Sequence, residues 1–286
     1  MTVLLALALG LVIGLSLGAL GGGGSILTVP VLVYAVGQSA QSATTASLVI
    51  VGITAAVAAA GHARGGRVRW GAGVAFGAAG VPASVLGTRL NGHISPDVLL
   101  VCFALLMVVA ASAMLAKTMV AARPSELADD EQAARLRTPA TVGVPGGAAR
   151  QDRPAAVPQQ AHGKTGTALK VLLAGLVVGF LTGFLGVGGG FIIVPALVLA
   201  LRYNMPTAVG TSLLVISLNS GVALLARGGH EQFHWSIIIP FSLAAVTGSL
   251  GGRRVAVRAS GTSLTRAFAV LLLAVAAYVL LRALLT

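Results

Sequence analysis

Apolar residues form ten stretches along the chain, of which 25–37 and 190–202 are short, and polar residues are concentrated in the segments between them. No Lys, Arg, Asp or Glu occurs from Met1 to Ala63, and strand-like alternation of apolar and polar residues is missing. Apolar stretches of this kind predict membrane helices rather than a β-barrel. The pattern predicts helices over 2–20, 25–37, 41–61, 70–90, 97–117, 169–186, 190–202, 206–226, 235–257 and 263–284.

A glycine-rich sequence occurs twice at a constant offset. The segment Gly14–Pro30 recurs 165 residues later as Gly179–Pro195, and the same offset pairs Trp70 with Trp235. Matches among Ala, Leu and Gly arise easily by chance in an apolar chain, whereas paired tryptophans do not. The offset therefore predicts a duplicated membrane unit.

The segment between the two halves has a different composition. Residues 119–168 carry Pro, Gln, Arg, Asp and Glu and few large apolar side chains, so this segment cannot bury a core. A short surface helix is possible near Glu126–Arg137. The predicted organisation is a first membrane repeat at 1–118, a cytoplasmic flexible linker at 119–168 and a second membrane repeat at 169–286.

Equivalent loops of the two halves carry opposite charge bias. Loop 62–70 holds three arginines, whereas its equivalent 227–234 balances one arginine with one glutamate. Loop 253–266 holds four arginines, whereas its equivalent 88–101 holds one arginine and one aspartate. Arginine-rich loops favour the cytoplasm, so matched loops are expected on opposite sides of the membrane and both termini outside. The predicted fold is an all-α polytopic membrane protein with two inverted repeats, broken half-helices and about 8–10 membrane segments.

The composition supports a membrane protein and argues against a nucleic-acid partner and a cysteine metal site. Of 286 residues, 56% are hydrophobic and 9% are charged, and the net charge is +12. The cations lie in loops and in the linker, not on a helix face with interleaved aromatic side chains, so nucleic acid is not an expected partner. Cys102 is the single cysteine, so neither an internal disulfide nor a cysteine metal site is expected.

The two glycine runs are the candidate chemistry of the chain. Each glycine of the run Gly21–Gly24 weakens a helix by about 1 kcal/mol relative to alanine, and unwound backbone in hydrocarbon must be buried in protein or line a cavity. Pro30 and Pro195 follow the runs. Proline is accepted in the first turn of a helix, so new helices are expected to start here. Their free N–H groups favour an anion.

The positions of the charged residues also favour an anionic or neutral substrate. The predicted helices carry charges only near their ends, whereas a cation transporter is expected to hold a carboxylate inside the membrane. Close helix packing explains glycines spaced like Gly14 and Gly18, but not three or four in succession. A nucleotide-binding loop is not expected, because no Walker lysine follows the glycines.

Hydroxyl and amide groups near the breaks are expected to complete the site. Ser25 is a candidate cap of the first half-helix, and Ser47 and Ser212 repeat at the offset of 165. Bonding of each hydroxyl to its own helix is the common alternative. The predicted substrate-binding residues are Gly21, Gly22, Gly23, Gly24, Ser25, Pro30, Thr45, Ser47, Gly186, Gly188, Gly189, Gly190, Pro195, Thr211, Ser212 and Asn219.

Residues at the predicted membrane edges have simpler expected roles. His62 is expected to be solvated at the interface rather than to act in a proton relay. Trp70 and Trp235 open equivalent helices and are expected to anchor them at the interface.

The glycine–proline motifs resemble those of the sulfite exporter TauE/SafE family of membrane transporters. The matching segments are Gly18–Pro30, Gly183–Pro195, Ala43–Ser47 and Ala208–Ser212. The resemblance covers both halves and excludes the linker. It implies movement of small sulfur-containing or organic anions, such as sulfite or sulfonates, across the bacterial inner membrane. The first repeat departs from the second at Gly22 and Ser25, whose corresponding residues at the offset of 165 are Val187 and Gly190. These differences leave the substrate and the direction of transport open.

The expected function is secondary transport of a small anion by alternating access, in the direction of export. An anion channel or a receptor-like membrane protein is the alternative. An enzyme is not expected, because no nucleophile, metal cluster or buried carboxylate pair is visible. No cofactor is expected. The expected partners are the anionic substrate and the lipid bilayer, and a homo-oligomer is possible.

Overall fold

The computed structural model describes residues 2–91, 96–136, 164–185, 190–226 and 234–285, and these are almost entirely helical. A π-helical turn, Val31–Ala35, follows the second helix. The helices are α1 Thr2–Leu20, α2 Gly23–Pro30, α3 Ala40–Ala63, α4 Trp70–Asn91, α5 Pro96–Leu136, α6 Lys164–Leu185, α7 Gly190–Leu199, α8 Met205–Ala226, α9 Trp235–Arg258 and α10 Gly261–Leu285.

Six helices in the described residues are long and apolar enough to cross a membrane: α3, α4, α5, α8, α9 and α10. Shorter apolar segments lie at Leu4–Leu20, Gly23–Val33, Ala168–Phe184 and Gly190–Leu199, in α1, α2 with the following turn, α6 and α7. Each half therefore contributes three long apolar helices and one pair of shorter apolar segments around its glycine run. The prediction of an all-α polytopic membrane protein with short second segments is confirmed.

Large apolar side chains cover the outside of the molecule. Leu4, Leu105 and Leu225 are 74%, 62% and 83% exposed. Exposed apolar surface on this scale is unfavourable in water and is typical of a lipid-facing surface. Trp70 and Trp235, the first residues of α4 and α9, are also exposed, as interfacial anchoring requires.

The described helix bounds differ from the prediction mainly around the linker. Helix α5 was expected to end near residue 117, but it continues to Leu136 through a stretch rich in Ala, Glu and Leu. These residues favour helix whether or not they are buried, so loss of hydrophobicity does not by itself end a helix. Residues 137–163 of the predicted linker lie outside the described residues, and the linker boundaries stay a prediction.

Corresponding helices of the two halves pack in corresponding ways. Helix α1 packs along α9, and their equivalents α6 and α4 pack along each other. A methyl group on Gly14 would overlap the backbone of Ala245, and one on Gly18 would overlap the backbone of Ser249. The chain numbers rise together along this contact, so α1 and α9 run parallel. The glycines at this spacing serve close helix packing.

The central pair, α3 and α8, runs antiparallel. A Cβ on Gly52 would lie 3.1 Å from Cβ of Ser220, and a Cβ on Gly210 would lie 3.2 Å from Cβ of His62. Residue numbers rise along α3 while they fall along α8. Helices α5 and α10 also pack on each other. The glycine breaks lie beside this central pair, because α2 contacts α3 and α7 contacts α8.

Candidate functional site

The first glycine run is a sharp reversal between two helices. Gly21 has a φ of +75°, a left-handed conformation that favours glycine. Gly22 is the N-cap of α2, and no side chain caps it. A Cβ on Gly24 would lie 2.9 Å from Cβ of Leu17, so α2 folds back against α1. The predicted interruption of the first helix is therefore present, in the form of a hairpin.

The two glycine breaks meet. A methyl group on Gly22 would overlap the carbonyl of Gly190, the first residue of α7. A Cβ on Gly21 would lie 2.6 Å from Oγ of Ser212, and one on Gly190 would overlap the hydroxyl of Ser25. Residues of the first break thus contact both the second break and α8 of the other half. Only residues without side chains at these positions permit this approach.

A cavity of about 560 Å³ opens beside α2. Its size lies in the range of sites for small molecules. Apolar side chains provide most of the lining, and five hydroxyl-bearing residues interrupt it. These five residues are Ser25, Thr44, Ser47, Ser220 and Tyr278.

Three of the predicted site residues line this cavity, namely Ser25, Pro30 and Ser47. The hydroxyl of Ser25 donates to the carbonyl of Gly22 at 2.6 Å, and that of Ser47 donates to the carbonyl of Thr44 at 2.8 Å. Both protons are therefore used within the helix, and each oxygen keeps lone pairs only. Ser25 lies inside α2 and does not cap it, so that part of the prediction is wrong.

The second-half counterparts are packed away from the cavity. Ser212 is fully buried, and its hydroxyl donates to the carbonyl of Val209 at 2.8 Å. Thr211 is also fully buried, and its hydroxyl accepts the backbone N–H of Arg69 at 3.1 Å. The side-chain oxygen of Asn219 is buried and has no hydrogen-bond partner among the described residues.

The remaining predicted residues support the breaks. A Cβ on Gly23 would lie 2.7 Å from a methyl of Leu271 in α10, whereas Gly24 packs on α1. Thr45 is buried within α3. Gly186, Gly188 and Gly189 lie outside the described residues.

Neither proline starts a helix, contrary to the prediction. Pro30 is the last residue of α2, and Pro195 lies in the middle of α7. Helix α2 begins before its proline because Gly21 provides the reversal and Gly22 the N-cap. Pro30 has no N–H to continue the helical ladder, and the chain continues from it as the π-helical turn Val31–Ala35.

Sequence reasoning missed the other wall of the cavity. Phe103 of α5 and the residues Leu271, Val275 and Tyr278 of α10 line it. These apolar residues carry no chemical signal of a site, and α10 is far from the glycine runs along the chain. The pairing of Phe103 with Phe268 in the repeat was the one available hint.

The equivalent positions in the second half are closed. The offset of 165 matches the lining residues Ile26, Val29, Thr44, Ser47 and Leu48 with residues of α7 and α8. The counterparts are all buried, at 0–1% exposure: Phe191, Val194, Val209, Ser212 and Leu213. The structure is therefore open beside one glycine break and packed beside the other.

His62 differs from the expectation of a solvated interfacial side chain. It lies in the last turn of α3 and is 1% exposed. Its Nε2 atom is 3.2 Å from the carbonyl oxygen of Gly18. Burial follows from the close packing of α8 on this turn, since a Cβ on Gly210 would lie 3.2 Å from Cβ of His62.

Comparison with known proteins agrees with this arrangement. The family profile described as "Sulfite exporter TauE/SafE" matches residues 6–279. The chain belongs to this family. The resemblance inferred from the glycine–proline motifs is thereby confirmed, and the match includes both glycine breaks.

Two bacterial relatives are similar over nearly the whole chain. A "Probable membrane transporter protein" of Xylella fastidiosa strain Temecula1 is 32% identical over 275 residues, which cover 94% of this chain and 92% of the relative. A protein with the same description from strain 9a5c is 31% identical over 273 residues, with the same coverage. No solved structure matches. Family and helices together identify a multi-pass protein of a membrane transporter family.

Proposed function

We propose that the protein is a secondary transporter of small sulfur-containing or organic anions in the bacterial inner membrane. The observation that carries the proposal is the cavity beside α2, whose lining reaches Ser25 next to the contact of the two glycine breaks. A carrier working by alternating access needs a site that opens to one side while the other side is packed. The proposal takes the direction of export from the family's description.

The packing of the two halves supports an inverted repeat. Helices α3 and α8 correspond to each other in the repeat, and they run antiparallel, as the contacts of Gly52 and Gly210 indicate. A two-fold axis that exchanges two antiparallel helices is perpendicular to both of them. For helices that cross a membrane, such an axis lies in the membrane plane. Three long helices per half also give an odd number of crossings, as inversion requires. With both termini outside, the cavity beside α2 opens to the outside.

The lining of the cavity favours an anion with an apolar part. Residues Ser25–Pro30 of α2 line the cavity in part, and the N-terminal end of this helix carries partial positive charge. Apolar side chains such as Leu48 and Val275 supply most of the remaining wall. Sulfonates combine an oxyanion with a carbon body, and sulfite supplies the oxyanion alone. A bound anion would also draw the Ser25 and Ser47 protons away from their helix carbonyls.

Accessibility of the paired serines tests alternating access. In a Cys102→Ser background, Ser47→Cys is expected to react with a membrane-impermeant maleimide added from outside, because Ser47 lines the cavity. The matched variant Ser212→Cys is expected to be protected from outside, because Ser212 is fully buried. In inside-out vesicles, added substrate should increase labelling of Ser212→Cys. Labelling of both cysteines from one side would instead indicate a continuous pore.

Flux in liposomes separates the carrier from the channel alternative. Purified protein in liposomes is expected to move sulfite or a small sulfonate with a rate that saturates with concentration. A rate that rises linearly with anion concentration would favour a channel. Absence of flux for both anions would contradict the proposed substrate class.

A further inference from the structure

A second cluster of polar groups lies at the end of α3, apart from the cavity. Two atoms there are buried and lack a hydrogen-bond partner, namely Nδ1 of His62 and Nε of Arg253. The guanidinium of Arg253 also donates from Nη1 to the carbonyl of Gly61 at 2.6 Å. This carbonyl belongs to the last turn of α3, whose final C=O groups have no partner within the helix. Arg253 is thereby held beside His62.

The hydrogen bond of His62 determines where its ring carries a proton. The carbonyl oxygen of Gly18 can only accept, so Nε2 must donate to it across the 3.2 Å contact. In a neutral imidazole with hydrogen on Nε2, Nδ1 is an acceptor with a lone pair. An oxyanion cannot bind at an acceptor atom. Nδ1 can donate to an oxyanion only in the imidazolium, or can accept a proton that the anion itself carries.

The charges around His62 are all positive. Helix α9 contributes Arg253, and the following loop contributes Arg67, whose backbone N–H donates to the carbonyl of His62 at 3.2 Å. Helices α1 and α8 contain no charged residue. In the part of the chain that the structure describes, no carboxylate pairs with Arg253.

We propose that a small oxyanion and a proton bind together between His62 and Arg253. The anion accepts from Nε of Arg253, and the proton occupies Nδ1 of His62, which then donates to the same anion. The anion offsets the repulsion between the imidazolium and the two arginines. The proton in turn supplies the donor that the neutral ring lacks. Anion binding at this end of α3 is therefore linked to proton uptake.

Calorimetric titration of the purified full-length protein with sodium sulfate tests the linkage directly. Sulfate stays a dianion between about pH 5.5 and about pH 8, the range in which histidine usually titrates. Any proton taken up therefore belongs to the protein. Repeating the titration in buffers of different ionisation enthalpy is expected to give uptake of about one proton per sulfate at the upper end of this range. Affinity is expected to fall as pH rises, by at most about tenfold per pH unit.

Two variants and a matched control assign the binding to this cluster. His62→Gln keeps a donor for the Gly18 carbonyl but cannot take up a proton, and it is expected to lose both the uptake and the pH dependence. Arg253→Gln is expected to weaken sulfate binding about 10-fold or more, because a charge-assisted bond is lost. Arg254→Gln removes the same charge from an exposed neighbour and is expected to bind within about twofold of the parent protein.

Several results would overturn the proposal. These are no sulfate binding by the parent protein, binding without proton uptake, and uptake that persists in His62→Gln. Equal loss in the Arg253→Gln and Arg254→Gln variants would also do so, because it would indicate a general surface charge effect. A further variant, Arg253→Lys, checks for misfolding, since it keeps the charge and should recover part of the affinity. The inference concerns binding alone, so it can fail or succeed independently of transport in liposomes.

Discussion

Replacing Gly22 by alanine tests whether contact between the glycine breaks holds the two halves together. The backbone of Gly22 has φ −63° and ψ −16°, an ordinary right-handed conformation that alanine adopts freely. The substitution therefore adds one methyl group without backbone strain. That methyl group would overlap the carbonyl of Gly190. A backbone carbonyl cannot rotate aside, so α2 and α7 must separate.

The expected loss of stability follows from the kind of atom that the new methyl group would overlap. Overpacking of a well-packed interior costs about 1–3 kcal/mol, and the upper part of this range applies where backbone must shift. Alanine gives no compensating gain at an N-cap, where it is less favourable than glycine. We expect Gly22→Ala to reduce the free energy of unfolding by about 2 kcal/mol and to reduce anion uptake strongly. Thermal unfolding in detergent and uptake into liposomes measure the two effects.

Gly251 supplies the matched control. It lies within α9, and a Cβ there would meet nothing within 4 Å. Gly251→Ala is expected to be neutral or to stabilise by up to about 1 kcal/mol, because alanine favours a helix interior. If Gly22→Ala were as stable and as active as Gly251→Ala, the two breaks would not be in contact in the working protein.

Two further substitutions probe the break and the closed side. Gly21→Ala and Gly66→Ala both place alanine at a positive φ, which costs about 1–2 kcal/mol, but only Gly21 also has neighbouring atoms within reach of its Cβ. Gly21→Ala should therefore unfold at a lower temperature than Gly66→Ala, and equal loss would count against the contact. Lys117→Met removes the 2.6 Å bond from Nζ of an exposed side chain to the carbonyl of Val198 and should lower stability by about 1 kcal/mol. The control Lys170→Met, which is also exposed, should not lower it, and equal effects would show that the bond contributes nothing.

The sequence predicted the helices well because their signal is local. An uninterrupted apolar stretch predicts a membrane helix at once, and the described long helices begin within a few residues of their predicted starts. The interruption at Gly21 was also predicted, since consecutive glycines have few other uses inside apolar sequence, but its form as a hairpin was not. The end of α5 was not predicted correctly, because helix-forming residues continue past Lys117 after the sequence stops being hydrophobic.

The details of the site were less predictable because they depend on partners distant in sequence. Nothing local distinguishes Ser25 as a helix cap from Ser25 as a donor to the carbonyl of Gly22. Burial of His62 depends on how closely α1 and α8 approach the end of α3, and the contacts that show this come from Gly18 and Gly210, both distant from His62 in sequence. Phe103 and Tyr278 meet across the cavity only after α5 and α10 have packed.

The repeat explains why the sequence alone cannot predict which half lines the open cavity. Ser47 and Ser212 occupy matching positions in matching segments, yet one lines a cavity and the other is fully buried. The proposed alternating access requires that each half can adopt either arrangement at similar free energy, and similar sequence in both halves supports this. On that proposal the chain has two nearly equivalent states, and the structure describes one of them. If the proposed function is correct, the other state packs Ser47 as Ser212 is packed now, and opens the cavity on the opposite side.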